Sequence, residues 1–197
     1  MGDGHHDSFT CHCWGLESTV WAVNKSGQLA CFDANSGRNL SCTTLSRASG
    51  CEGNVWEAVA LLVTKTHIVV VGSDGSIEWH KLPADPACEP EMVYGIQLRD
   101  EHGALCPAVT AGFSPLFDKM LVGSADGSLH SVFLDVERHT NESGVPTLGV
   151  STLKRFHRGN TIGLTCLRPL SPEIGEAAAG IIITAGELRH SKGRIFK

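Results

Sequence analysis

The sequence predicts an all-β fold, and the first evidence for it is a hairpin pattern in residues 68–79. This segment reads IVVVGSDGSIEW, so a β-branched run and an alternating run flank the pair Asp74-Gly75. Asp-Gly between two such runs is a strong hairpin signal, because β-branched residues favour strands. Gly75 can take the positive φ of a tight turn without steric strain, and Asp74 tolerates that conformation. We therefore expect two antiparallel strands joined by a turn at these two residues.

The second observation is that this hairpin pattern recurs along the chain. Residues 120–129 (MLVGSADGSL) repeat it almost residue for residue, with Asp126 at the turn. Residues 20–33 and 181–195 are more distant copies. Spacings of 48, 52 and 66 residues separate the turn glycines, which are Gly27, Gly75, Gly127 and Gly193. Repeated hairpins at this period are typical of a β-propeller or a related β-repeat array, and the predicted fold class is an all-β propeller.

The first two repeats each contain enough sequence for four strands, the number that one propeller blade requires. The first repeat covers residues 9–47, with strands expected at 9–14, 20–24, 29–33 and 39–45. The second covers residues 55–98, with strands expected at 55–64, 67–73, 76–82 and 92–98. The composition of 55–64 also suits a helix, but the repeat context favours a strand. Residues 83–90 are expected to form an irregular loop, because their prolines lack the backbone donor of a sheet.

The last two repeats differ in completeness. The third covers residues 106–156, with strands expected at 108–113, 119–124, 128–136 and 147–156. The fourth covers residues 161–197, with strands expected at 161–167 and 180–185 and a third that starts at Arg194. We therefore expect three complete blades and a truncated fourth, belonging to a larger propeller that further sequence or a partner chain completes. Residues 1–8 are polar and are expected to form a disordered tail.

Composition and charge exclude several functional classes. The net charge is −5 and the sequence pI is about 6.0, with no run of basic residues, so binding to nucleic acid is not expected. The first residues lack the basic segment and the apolar segment of a signal peptide. No apolar run approaches the ~18 residues of a membrane span. We therefore expect a cytoplasmic protein that does not contact membranes. In that compartment the eight cysteines should be reduced.

The repeats resemble the WD-repeat family of β-propellers. Residues 72–77 (GSDGSI) and 123–129 (GSADGSL) match the turn of that family, which reads Gly-Ser-x-Asp-Gly-x-apolar. Residues 26–38 match the second half of its repeat, with Phe32 at the position of the family's tryptophan. Residues 157–172 look like the opening of a blade, with His157 where the family has a loop histidine. This resemblance implies a rigid, non-catalytic scaffold that presents its loops to other proteins.

The chain also departs from the family pattern. The family's tryptophan position falls on His80 in the second repeat and near Val132 in the third, while Trp79 lies one residue early. The side-chain network of His, Ser or Thr, Asp and Trp that is typical of the family is therefore incomplete in every repeat. The segments CHCW at 11–14 and VWAVNKSGQL at 20–29 are similar to the large cilia- and flagella-associated WD-repeat proteins. That similarity implies a structural role in a ciliary or flagellar axoneme.

An enzymatic alternative comes from the same first repeat. Residues 20–38 are also similar to the repeats of quinone-cofactor dehydrogenases, which are propeller enzymes. Those enzymes are exported, and only the first repeat shows the similarity. The sequence contains no Gly-x-Ser-x-Gly elbow, no phosphate-binding Gly-x-x-x-x-Gly-Lys loop and no His-Glu-x-x-His motif. We therefore expect no catalytic residues and no cofactor.

The candidate site residues all have structural interpretations. His5, His6, Cys11, His12 and Cys13 could supply zinc ligands, but Cys11 and Cys13 would face one side of a strand and His12 the other, so no metal site is expected. Asp74 and Asp126 are expected to cap their own turns. The four tryptophans are expected to pack between blades rather than form a ligand cage. The residues predicted to pack blades include Trp21, Phe32, Trp79 and His157.

Overall fold

The computed structural model describes residues 8–45, 56–114, 119–134, 149–153, 161–167 and 181–186, and these ranges contain strands and turns but no helix. The first eight strands are β1 (Phe9–Trp14), β2 (Thr19–Asn24), β3 (Gln28–Asp33), β4 (Asn39–Thr44), β5 (Ala58–Val63), β6 (His67–Gly72), β7 (Ser76–Lys81) and β8 (Glu91–Gln97). The remaining strands are β9 (Ala108–Ser114), β10 (Lys119–Ser124), β11 (Leu129–Phe133), β12 (Val150–Leu153), β13 (Thr161–Leu167) and β14 (Ile181–Gly186).

The strands form four antiparallel sheets in which sequence neighbours are also neighbours in space. Sheet I is β1-β2-β3-β4, sheet II is β5-β6-β7-β8, sheet III is β9-β10-β11-β12, and sheet IV is the pair β13-β14. The chain divides into an N-terminal body, residues 1–108, and a C-terminal body, residues 109–197. Sheets I and II lie in the N-terminal body. In the C-terminal body, β10 of sheet III contacts β13 of sheet IV.

Several strands coincide with the ranges expected from the sequence. The bounds of β1, β10 and β13 agree residue for residue with the expected strands. The segment whose composition also suited a helix forms β5, which begins at Ala58 rather than at residue 55. The expected turn at Gly193 and the strand from Arg194 lie outside the described residues, as do His157 and residues 1–7 of the expected tail.

The core of the N-terminal body lies between sheets I and II. Its buried members are Trp21, Val23, Leu29, Cys31, Leu45, Trp56, Ala58, Leu61, Ile68 and Val70. The first strands of the two sheets also touch, because the Thr10 hydroxyl donates to the carbonyl of Ala58 over 3.5 Å and the Cys11 thiol does so over 3.3 Å. The apolar side-chain area that the two sheets bury against each other stabilises their packing by about 25 cal/mol per Å².

Strand β6 is buried along its whole length, which explains its continuous apolar sequence. Alternate residues of a strand point to opposite faces, so a strand covered on both sides needs apolar residues throughout. Val69 and Val71 share the face that carries Ile77 and Trp79 of β7, and Trp79 is fully buried. The Trp79 ring lies 5.6 Å from the Tyr94 ring of β8, measured between centroids.

The turn glycines of sheets I and II are held by the same backbone contact. The amide of Leu45, directly after β4, donates to the carbonyl of Gly27 over 2.9 Å. The amide of Leu98, directly after β8, donates to the carbonyl of Gly75 over 2.9 Å. Gly27 and Gly75 have φ values of +83° and +84°, a region that favours glycine. The end of each outer strand is therefore tied to the central turn of its own sheet.

Two turns in the N-terminal body were not expected from the sequence. Residues Leu16–Thr19 join β1 to β2 with positive φ at both central residues, 52° at Glu17 and 60° at Ser18. The segment after β8 forms a second turn, closed by a bridge between Arg99 and Leu105. In that turn the carboxylate of Asp100 accepts hydrogen bonds from the amides of His102 and Ala104, each over 2.8 Å.

Six cysteines have free thiols, namely Cys11, Cys13, Cys31, Cys42, Cys88 and Cys106. Cys31 is completely buried in sheet I, and this burial raises the pKa of its thiol to about 11. Cys42 and Cys88 are exposed. Only the thiolate form of cysteine is a strong nucleophile, so the Cys31 thiol should be much less reactive than the thiols of Cys42 and Cys88.

Replacing Gly75 with alanine should destabilise the protein more than the same change at Gly37. Both residues have positive φ, so each alanine should cost about 1–2 kcal/mol of unfolding free energy. A Cβ at Gly75 would also overlap the backbone carbonyl of Cys106, whereas a Cβ at Gly37 meets nothing within 4 Å. We therefore expect an extra cost of about 1–3 kcal/mol at Gly75, measured by denaturant unfolding. Equal losses at the two positions would contradict the close packing at Gly75.

Alkylation should separate the buried thiol from the exposed ones. At pH 8 about one in a thousand Cys31 side chains would be thiolate, given a pKa of about 11, and burial also hinders the reagent. Iodoacetamide should therefore label Cys42 and Cys88 in the folded protein well before Cys31, as read by peptide mass spectrometry. After unfolding in denaturant all three should react at similar rates. Early labelling of Cys31 in the folded protein would disprove its burial.

Candidate interaction surface

The acidic turn residues are occupied by hydrogen bonds within their own turns. The Asp74 carboxylate accepts from the amide of Ser76 over 3.0 Å and from its hydroxyl over 2.6 Å. The Asp126 carboxylate binds Ser128 in the same way, over 2.9 Å to the amide and 2.9 Å to the hydroxyl. Such bonds replace backbone pairing in a tight turn. In the third turn this role falls to Asn24, whose side-chain oxygen accepts from the amide of Gln28 over 2.7 Å.

Trp56 connects the central turns of sheets I and II. It precedes β5, and its indole nitrogen donates to the Ser76 hydroxyl over 3.3 Å. Its ring lies against Gly27, where an added Cβ would be 3.3 Å from the indole. A Cβ on Gly72 would overlap the indole nitrogen itself. Trp56 therefore fills the space between two turns that both need glycine. The sequence predicted that this tryptophan packs between blades, but it did not predict these contacts.

The other aromatic residues differ in their surroundings. Trp21 and Trp79 are buried, while Phe32 is half-buried and makes an edge-to-face contact with Phe9 at 5.6 Å between ring centroids. Trp14 is 69% exposed, so the expectation that it packs between blades is wrong. Trp14 is the last residue of β1 and lies on the strand face that also carries the exposed residues Thr10 and His12.

A groove of about 320 Å³ lies at the end of sheets I and II that is opposite the Gly27 and Gly75 turns. The turn before β2 forms one side, with Leu16 and Glu17, and Trp21 of β2 also lines the groove. The other side is formed by Lys65, in the turn between β5 and β6, and by the segment after β7. That segment contributes Leu82, Pro83, Ala84 and Pro86. The groove therefore joins residues from three separate stretches of sequence.

Hydrogen bonds fix both sides of this groove. In the β1–β2 turn, the Thr19 amide and hydroxyl both donate to the carbonyl of Leu16, over 3.1 and 2.6 Å. The amide of Leu82 donates to the carbonyl of Thr66 over 2.8 Å, which ties the start of the β7–β8 loop to the β5–β6 turn. Three prolines in that loop, Pro83, Pro86 and Pro90, further restrict its backbone. The groove is thus formed by ordered loops rather than by free chain.

The surroundings of Asp33 and His130 shift the pKa values of their side chains. Hydrogen bonds from the backbone and side chain of Ser36 lower the pKa of Asp33, the last residue of β3. Burial lowers the pKa of His130, an effect that the charge of Asp126 opposes. His130 contacts the Thr152 hydroxyl over 3.0 Å. Glu78 and His80 on β7 are both buried, and the Glu78 carboxylate lies 3.3 Å from the His80 ring nitrogen.

The described cysteine and histidine side chains near the start of the chain do not come together as metal ligands. His5 and His6 lie outside the described residues. The Cys11 thiol points to the carbonyl of Ala58, and the Cys13 thiol lies 3.3 Å from the carbonyl of Trp14. In the described ranges no group of three or more His, Cys, Asp or Glu residues is arranged to hold a metal ion. Those ranges also contain no helix long and apolar enough to cross a membrane.

No protein-family model and no curated protein sequence matches the chain. Solved structures do match it. The β-propeller domain of Cps50 (Swd1) from Myceliophteria thermophila aligns with a TM-score of 0.56 and 14% identity, covering 80% of this chain and 46% of that one. Sqt1 from Saccharomyces cerevisiae aligns with a TM-score of 0.58 and 14% identity, covering 89% and 41%.

A third match is a chain of the mitotic checkpoint complex, with a TM-score of 0.52, 12% identity, and coverage of 80% of this chain and 40% of that one. All three neighbours are WD-repeat β-propellers. The chain spans less than half the length of each neighbour. At these identities the likeness establishes the fold and not the activity. The predicted fold class is confirmed: this chain has an all-β propeller fold of the WD-repeat type.

Proposed function

We propose that this protein is a non-catalytic scaffold that binds other proteins through the ends of its sheets. The observation that carries the proposal is a contrast between the two ends of the sheets in the N-terminal body. The acidic residue of the Gly75 turn is satisfied internally, while the opposite end presents an open groove between ordered loops. Such a surface suits binding, because ordered loops lose little conformational entropy when a partner docks.

The structural neighbours support a role in protein association. One of them is a chain of the mitotic checkpoint complex, which is an assembly of proteins. The partial coverage of each neighbour also fits a propeller completed by further sequence or by a partner chain. The similarity of residues 11–14 and 20–29 to cilia- and flagella-associated WD-repeat proteins supports an axonemal assembly as the setting. We include that setting in the proposal.

Affinity capture tests the scaffold function. The tagged full-length chain should retain at least one protein from an extract of its source cells, in an amount comparable with the chain itself. The matched control is the Gly75→Val variant, since a β-branched residue at φ +84° should disrupt the fold and release the partner. Retained axonemal proteins, and a tagged chain located in the cilium, would support the ciliary setting.

The enzymatic alternative predicts a different result. A quinone-dependent dehydrogenase would bind its cofactor in the purified state and would show cofactor absorbance above the protein band. We expect a spectrum that tryptophan and tyrosine explain, with no electron transfer from alcohols or sugars to an added dye. Dye reduction that depends on added quinone, together with failure to retain any protein, would overturn the scaffold proposal.

A further inference from the structure

The β1–β2 turn has a conformation that its residues do not favour. A two-residue hairpin turn with positive φ at both central positions is normally built from Asn-Gly or similar pairs. Here the two positions are Glu17 and Ser18, whose Cβ atoms crowd the backbone in that region. Strained backbone of this kind tends to occur at functional sites. The turn would be more stable with other residues, such as Asn and Gly.

Glu17 lines the groove together with apolar side chains from both of its sides. Trp21 is buried at its inner end, and Leu82, Pro83 and Pro86 are partly buried along the second side. Leu16, in the same turn as Glu17, is 49% exposed. Leu16 thus extends the apolar part of the lining, and contiguous apolar surface with a polar rim is a feature of binding sites.

Two opposite charges flank this apolar lining. Glu17 comes from sheet I and Lys65 from sheet II, and both side chains are exposed. Neither takes part in an ion pair within the described residues, although both line the same groove. Each charge is therefore available to a bound molecule, and the two sides of the groove differ in sign. The complementary molecule carries a cation on the Glu17 side and an anion on the Lys65 side.

We propose that this groove binds a short extended segment of another protein, in which one large apolar side chain lies between a basic and an acidic residue. The basic residue pairs with Glu17, the acidic residue pairs with Lys65, and the apolar side chain contacts Leu16 and Leu82. The inference rests on the proposed scaffold function and names one of its binding sites. A nucleic acid fits less well, because its phosphates would meet one lysine and be repelled by Glu17.

Selection from a library of random heptapeptides displayed on phage tests the order of charges. The full-length chain should enrich peptides with an apolar residue between a basic and an acidic residue. The double variant Glu17→Lys/Lys65→Glu exchanges the two charges of the groove, so it should enrich peptides of the opposite charge order. A purely structural role for these exposed residues would leave the selected peptides unchanged.

Binding of one enriched peptide, synthesised and titrated by fluorescence anisotropy, gives the size of the effect. Each single reversal, Glu17→Lys or Lys65→Glu, should weaken it by about tenfold, since an attraction becomes a repulsion. The matched control is Lys25→Glu/Glu57→Lys, which exchanges the charges of an exposed ion pair of 3.1 Å in the same body. That exchange keeps the pair and should leave peptide affinity unchanged.

A second variant keeps the test independent of folding failure. Glu17→Asn/Ser18→Gly gives the turn residues that positive φ favours, so the melting temperature should rise while peptide affinity falls. No enrichment on the native chain, or peptides that bind the reversed variants equally well, would overturn the groove assignment. Either result leaves the scaffold proposal intact, because that proposal fails only if affinity capture retains no partner.

Discussion

The N-terminal body depends on turns that have no side chain where the next segment passes over them. At Gly27 the indole of Trp56 occupies the space that a Cβ would fill, and at Gly75 the backbone of Cys106 does so. The carbonyls of the same two glycines accept the amides of Leu45 and Leu98. One glycine in each sheet therefore satisfies a positive φ, a close packing contact and a hydrogen bond. A larger residue would disturb all three at once.

This constraint explains why the sheets were predictable from the sequence. Turn chemistry is local, so Asp74-Gly75 and Asp126-Gly127 identify hairpins without any knowledge of tertiary contacts. The buried strand β6 was also clear, because coverage on both faces produces a continuous apolar run. Strand ends were less certain. Trp56 and Glu57 precede β5 rather than belong to it, and the Trp56 indole donates to the Ser76 hydroxyl.

The candidate groove could not be predicted in the same way. Leu16, Lys65 and Leu82 are far apart in sequence, and no motif links them. The Glu17-Ser18 turn was missed because its residues are not those of a two-residue hairpin turn, so local chemistry gave no signal. Trp14 was misjudged for a related reason. An aromatic residue usually packs in a core, but the end of strand β1 leaves this one uncovered. Features made by tertiary contacts, or retained against local preference, need coordinates to be seen.

The covering of Gly27 by Trp56 also orders events during synthesis. All four strands of sheet I precede Trp56 in the chain, yet its central turn lacks a cover until that tryptophan has left the ribosome. At about 5–20 residues per second, the interval between completion of β4 and arrival of Trp56 lasts on the order of a second. During that interval the apolar face of sheet I is open to solvent and to chaperones. Sheet I is therefore synthesised before the residue that covers its central turn. Sheet II is also synthesised before its cover, because Cys106, which lies over Gly75, follows β8 in the chain.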